Sequence, residues 1–304
     1  MIKLVRIIKK LVKATYVLLR QFLRTNFKPK IYIFAKEYRS ESENGTYASA
    51  ILNILKSQKN FANFKRNRLY RDILEHVSEE QGNAYLDVLK LRNDGILKHA
   101  LETVLLSDTI GNPLKFRYTG YSTSLSPTTL RYVKVSSDLK ILFGEDLGDV
   151  VEIGCGYGGQ TLVNDQILNV RSAKLFDLPI VNKLIRRYLN THLLHGAFKT
   201  TSINEEVTSS YDLAISNYAF SELPKKLQLI YITKVLSKSR KGYLTMNSGL
   251  SGGGSIEKLS LKELRYQLPN FETFEEKPLT GHDNYIIVWG HAKNKALEYF
   301  TIKN

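Results

Sequence analysis

From residue 149 onward the chain alternates between short apolar runs and amphipathic helical stretches, and this alternation limits the fold more than any other feature. "DVVEIG", "AKLFD", "YDLAISN", "KGYLTMNS" and "NYIIVWG" read as strands; Gln160 to Leu168, Ile180 to Leu194, Lys225 to Leu236 and Leu261 to Leu268 read as the helices between them. Strands that are apolar along their whole length are buried on both faces. The pattern therefore predicts an α/β fold, a parallel sheet covered by helices on both sides.

The region ahead of this alternation has a different texture. From Thr46 to Leu106 apolar residues recur at helical spacing, as in Ile51 and Leu55 or Tyr85 and Leu89, and Ser78-Glu79-Glu80-Gln81 has the form of a capping box. Ser107 to Pro127 is rich in Gly, Pro, Ser, Thr and Tyr and has no period, so it reads as a loop. "PTTLRYVKVSSDLKILFG" is a helix leading into the second half. The predicted organisation is a basic amphipathic helix at 1–30, a helical region at 31–145 that caps the substrate side, a cofactor-binding domain at 146–291 and a tail at 292–304. "SGLSGGGS", residues 248–255, reads as a flexible loop or a lid over the site.

The first strand runs directly into "EIGCGYGGQT". A strand that passes through glycines into a helix brings bare backbone to a ligand and aims free amides at it. Gly154, Gly156 and Gly159 satisfy the dinucleotide pattern GxGxxG, while Glu152, Gly154, Gly156 and Gly158 satisfy ExGxGxG. Placement of the acid separates the two. A carboxylate at the loop repels a pyrophosphate and tolerates a cationic sulfonium, which favours S-adenosylmethionine over NAD. At the end of the next strand, in "LFDLP", Asp177 stands where an acid accepts hydrogen bonds from ribose hydroxyls, a role shared by both cofactors.

"VVEIGCGYGGQ", "LFDLP" and "YDLAISNYAFSELP" together resemble class I S-adenosylmethionine-dependent methyltransferases, and within them the sugar O-methyltransferases that accompany antibiotic-glycoside and surface-polysaccharide genes. The resemblance covers roughly residues 110 to 291. It implies a Rossmann-like seven-stranded sheet whose last strand, in the place of "NYIIVWG", is antiparallel. It also implies that Glu152, Gly154, Gly156 and Gly158 line the methionine end of the cofactor and Asp177 its ribose. Ser202 or Asn204, past the third strand, would flank the adenine, although "FKTTSINEE" lacks an acid often present there. Asn217, at the end of the fourth strand, joins the cofactor contacts. The methyl acceptor implied is a sugar hydroxyl, within a surface polysaccharide or glycoconjugate.

Methyl transfer to a hydroxyl is an in-line displacement with a cationic leaving group, so alignment supplies most of the catalysis and a general base the remainder. "SNYAFSELP" leaves the carboxyl end of the fourth strand, where related small-molecule enzymes place a histidine. Here the position reads Ser221-Glu222, which makes Glu222 the first candidate base and His282, with Asp283 beside it, the second. Arg131, Tyr132 and Tyr218 are candidates for holding substrate. Two acids, Glu222 and Asp283, do not make a metal site, and the sequence leaves divalent-metal dependence open.

Composition enters through its distribution. Residues 1 to 30 carry nine of the net +15 charges and no acid. In residues 1 to 26 the lysines and arginines oppose a face of Leu, Ile, Val and Phe, which predicts a helix lying on an anionic membrane surface. Its longest uncharged run, Ala14 to Leu19, is too short to span a bilayer. The acceptor implied is then lipid-linked or close to the membrane, and the expected location is the cytoplasm with peripheral attachment. The single cysteine, Cys155, excludes a disulfide framework and fits a reducing compartment. Three rivals remain, an NAD-dependent sugar oxidoreductase, a nucleic-acid methyltransferase and a degenerate, non-enzymatic fold serving as a membrane-bound scaffold, the last opposed by the intact Gly154, Gly156, Gly158 and Asp177. Asn217 followed by Tyr218-Ala219, without the prolines that clamp a flipped base, argues against a nucleic-acid substrate.

Overall fold

The structure, a computed structural model, describes residues 45–205, 207, 209–247, 257–268 and 270–291. The expected basic helix at 1–30, the glycine-serine stretch at 248–255 and the tail at 292–304 lie outside the described residues. The chain divides into two units, 1–39 and 40–304, and the described residues all belong to the second.

Its described residues begin with five α-helices, α1 (Thr46–Leu55), α2 (Gln58–Ala62), α3 (Arg68–Leu74), α4 (Glu79–Arg92) and α5 (Ile96–Thr103), followed by the long α6 (Pro127–Phe143). The capping box expected at Ser78 forms: Ser78 Oγ accepts from Gln81 N at 3.2 Å, and Gln81 Oε1 accepts from Ser78 N at 2.9 Å. α6 starts with Ser126 capping Thr129 N and with Pro127 in the first turn, where its missing N–H costs nothing.

The sheet follows: β1 (Asp146–Ile153), α7 (Gly159–Ile167), β2 (Asn169–Phe176), α8 (Pro179–Leu189), β3 (Ala197–Thr201), β4 (Tyr211–Asn217), the short α9 (Ala219–Glu222), α10 (Lys225–Lys234), β5 (Ser239–Met246), α11 (Leu261–Gln267), β6 (Glu272–Glu275) and β7 (Tyr285–Trp289). The strand order is β3-β2-β1-β4-β5-β7-β6. β1 to β5 pair in parallel, whereas β7 runs antiparallel to β5, with Gly242 opposite Trp289 and Met246 opposite Tyr285. This is the Rossmann-like seven-stranded sheet with an antiparallel last strand that the motifs imply.

Alternation along each strand divides the apolar residues between two cores. Val150, Leu213, Ile286 and Val288 face the core shared with α1 to α8. Val151, Ala214, Leu244 and Ile287 face the core built with Tyr231, Val235 and Leu264. The amino-terminal helices thus belong to the same apolar cluster as the sheet. Their aromatics meet the glycine loop directly: Tyr157 lies 4.8 Å from Tyr188 and 5.3 Å from Phe64, ring centre to ring centre. Lys65, buried among them, stands 4.5 Å from the Tyr157 ring.

β3 and β6 are the two strands that the apolar runs do not announce. "AFKTT" alternates exposed and half-buried residues along an edge of the sheet, and "ETFE" is four residues of largely polar chain at the other edge. Edge strands contact the core on fewer sides, so their sequences carry less apolar signal. The helix expected to reach Leu194 ends at Leu189, where Thr191 N turns back to Tyr188 O at 3.0 Å. Among the described residues no helix is long and apolar enough to cross a membrane.

Candidate functional site

β1 and β4 are neighbours whose chains continue to opposite sides of the sheet, and the crevice at their carboxyl ends is where ligands of such sheets collect. The glycine loop leaves β1 at this point. Gly154 has φ +73°, and a Cβ there would stand 2.0 Å from the Cβ of Ala219, at the start of α9. The missing side chain therefore lets the ends of β1 and β4 close on each other. A Cβ on Gly156 would touch Leu74 at 3.1 Å, and one on Gly158 would touch Leu189 at 3.2 Å, so α3 and α8 also rest on the loop.

Asp177, just past β2, turns its carboxylate into this loop. Its Oδ2 accepts from Cys155 N at 2.8 Å and from Gly156 N at 3.2 Å, and Oδ1 accepts from Leu178 N at 2.7 Å. Burial pushes its pKa up to about 6, against the pull of these three amides. The loop amides that would cradle a phosphate are therefore engaged by the chain's own carboxylate.

Glu152 is 3 % exposed and accepts from Thr161 Oγ1 at 2.5 Å. Burial raises its pKa to about 8, and the nearby charge of Asp177 adds to the rise. The shift favours the neutral acid at pH 7 and weakens the charge expected there to repel a pyrophosphate, while the Asp177 carboxylate lies against the same loop. Cys155 is buried, its thiol donating to Glu152 O at 3.3 Å, and burial holds its pKa well above the ordinary value. It packs behind the loop, where burial disfavours the thiolate.

The remaining candidates fall into three places. Ser202, half-buried, and Asn204, exposed, follow β3, whose end is tied to the site through Asp177 N and Thr201 O at 3.2 Å. Asn217 ends β4, its Nδ2 donating to Gln160 Oε1 at 3.3 Å. Tyr218 comes next with φ +66°, a strained backbone for a bulky residue, and sends its hydroxyl across to Glu276 and to Thr280, the latter at 3.0 Å. Arg131 and Tyr132 enter from α6, the guanidinium 5.4 Å from the Tyr132 ring and 6.0 Å from that of Tyr218.

The two candidate bases differ in setting. Glu222 closes α9, half-buried, with Asn247 Nδ2 donating to it at 3.3 Å from the end of β5. His282 lies in the loop before β7 with its side chain 79 % exposed, paired with Asp283 at 2.5 Å. Glu222 is on the crevice and His282 is turned to solvent. Among the described residues no three His, Cys, Asp or Glu side chains gather as a metal site.

Several residues join the site without any sequence motif. Tyr47 of α1 and Tyr70 of α3 are buried against the loop, and the Asp177 charge adds to the rise that burial causes in both pKa values. Glu75, just past α3, is buried with its pKa raised by burial. A separate cleft of about 700 Å³ opens at the amino ends of β1 and β2, lined by His99, Asp146, Asn169 and His195, at the end of these strands opposite the glycine loop.

No family model matches the chain, and no curated protein matches it. Solved structures do resemble it. An S-adenosylmethionine-dependent methyltransferase from Clostridium acetobutylicum is 10% identical, covers 53% of this chain and 90% of its own, and has a TM-score of 0.40. An amino pentose methyltransferase from Micromonospora echinaspora, involved in calicheamicin biosynthesis, is 10% identical over 52% of this chain and 89% of its own, with a TM-score of 0.40. N-methyltransferase NodS from Bradyrhizobium japonicum is 11% identical over 53% and 85%, with a TM-score of 0.41.

Proposed function

We propose that the chain is an S-adenosylmethionine-dependent methyltransferase whose acceptor is a sugar hydroxyl. One observation carries the choice of cofactor: the Asp177 carboxylate occupies the amides of Cys155 and Gly156. A dinucleotide would bring its pyrophosphate to those amides, against a like charge. Two unit charges about 4 Å apart repel by about 4 kcal/mol at an effective dielectric constant of about 20. S-adenosylmethionine has no phosphate and a cationic sulfur, so the same carboxylate favours it.

The residues fit that cofactor. Asp177 Oδ1 accepts only one amide and keeps a lone pair for a ribose hydroxyl. The glycine loop at Gly154, Gly156 and Gly158 borders the methionine end, and Ser202 the adenine. When bound, the cofactor supplies an activated methyl group. The protein aligns the acceptor, excludes water and takes a proton, and Glu222 is the base this reading assigns, since it stands on the crevice and His282 does not. A sugar acceptor suits the crevice wall beyond β4, where the Tyr85 hydroxyl, Arg131 Nε and Asn217 Oδ1 have no hydrogen-bond partner within the protein. The basic stretch at residues 1–26 supports an acceptor that is lipid-linked or held near an anionic membrane.

Thermal unfolding with each cofactor tests the reading. S-adenosylhomocysteine should raise Tm and NAD should not; the reverse would make the chain an oxidoreductase. Labelled methyl should pass from S-adenosylmethionine into surface glycan, and not into total RNA. Glu222→Gln should keep S-adenosylhomocysteine binding and lose about 10²-fold or more in turnover, while His282→Ala leaves turnover unchanged.

A further inference from the structure

Three buried polar atoms without a hydrogen-bond partner meet at one place. They are Arg131 Nε, Asn217 Oδ1 and the Tyr85 hydroxyl. All three side chains line a single cavity of about 10 Å³ beyond the end of β4, whose other charged walls, Lys134 and Glu276, are already engaged by Asp138 and by Tyr218 and Thr280. A space of this size holds one water-sized group.

The direction of each group is fixed. Gln160 Nε2 donates to Tyr132 O at 3.1 Å and to Asn164 Oδ1 at 2.9 Å, so its Oε1 must accept, and it accepts from Asn217 Nδ2. That leaves Asn217 Oδ1 as an acceptor. Arg131 Nε is a donor only, and a tyrosine hydroxyl serves in either sense. Burial alone lowers the Arg131 pKa, but Tyr132, Tyr85 and Tyr218 outweigh it, so the group stays cationic.

These constraints select the ligand. An ammonium would sit against the guanidinium. A carboxylate has no hydrogen to donate and would turn a negative oxygen toward Asn217 Oδ1. A neutral hydroxyl satisfies all three, since its oxygen accepts while its hydrogen is donated.

We propose that the cavity is a hydroxyl subsite for the acceptor, in which Arg131 Nε donates to an acceptor hydroxyl and that hydroxyl donates to Asn217 Oδ1. Tyr85 completes the ring of contacts. Asn217, grouped with the cofactor residues by its place at the end of β4, is thereby assigned to the acceptor. The identity of the hydroxyl as the acceptor's rests on the methyl-transfer reading; the selectivity of the cavity does not.

Water offers the same chemistry, so the test separates the two sources. Crystals of the full chain are soaked in methanol, in formate and in methylamine at equal concentration. The expected result is methanol with its oxygen between Arg131 Nε and Asn217 Oδ1, and no entry of formate or methylamine. A water retained there in the methanol soak, or formate or methylamine in its place, overturns the proposal. Tyr85→Phe, which removes only the hydroxyl, should lower methanol occupancy; unchanged occupancy removes Tyr85 from the subsite. Calorimetry with S-adenosylhomocysteine runs in parallel. Methanol in the cavity with no cofactor binding would defeat the methyl-transfer reading alone, and cofactor binding with a failed soak would defeat the subsite alone.

Discussion

Asp177 joins folding to ligand binding in one carboxylate. Its pKa in the folded chain, about 6, lies above the ordinary aspartate value. A raised acid binds its proton more tightly folded than unfolded, so its contribution to stability falls as pH rises through that window. Binding has the opposite need, since the ionised carboxylate must hold the loop amides and a ribose. S-adenosylhomocysteine affinity should therefore be level above pH 6 and fall by about tenfold per pH unit below it, the slope of one proton taken up. Calorimetry from pH 5 to 8 reads this directly, and Asp177→Asn should give weaker binding without the slope. Glu152, neutral until about pH 8, leaves that window undisturbed.

At the scale of elements, α6 is the beam that carries the acceptor side. Besides Arg131 and Tyr132 it holds Asp138, buried and paired with Arg92 of α4 at 2.6 Å and with Lys134 at 2.7 Å, while Tyr243 of β5 donates to it at 2.5 Å. Burial pushes the Asp138 pKa up, but Lys134 and Arg92 outweigh it and hold the carboxyl below its usual range. Asp138→Ala removes the buried carboxylate that Lys134 and Arg92 share and should cost about 3–5 kcal/mol, measured by urea denaturation; a loss under 1 kcal/mol would mean that water reaches the cluster. A depressed carboxyl stabilises above its unfolded pKa, so the native protein should lose this contribution as pH falls below about 4.

Elements also divide by how readily the sequence announces them. β1, β4, β5 and β7 each contain a buried apolar run covered on both faces, and the capping box at Ser78 is local chemistry; each is legible in the sequence. β3 and β6 were not, because an edge strand has less apolar surface to cover. The position of Asp177 was legible from its strand, but not its partners, since the amides of Cys155 and Gly156 reach it only when β1 and β2 align. Tyr47, Tyr70 and Glu75 enter the site from a region of ordinary helical spacing, where a site residue and a core residue look alike.

At the scale of the whole molecule, the charge is the least evenly spread property. Nine of the net +15 charges fall within residues 1 to 30. Each basic residue near an anionic membrane contributes about 1 kcal/mol of attraction. The full chain should co-sediment with vesicles containing phosphatidylserine at low salt and release at high salt, and deletion of residues 1–26 should abolish the sedimentation. Retention by the shortened chain would move the membrane contact elsewhere. The order of strands has a further consequence, for the timing of assembly. β6 pairs only with β7, and β7 lies between β6 and β5. During synthesis on a ribosome, the edge of β5 stays open and β6 has nowhere to dock until Trp289 has emerged from the exit tunnel, so the sheet closes in a single late step that adds two strands together.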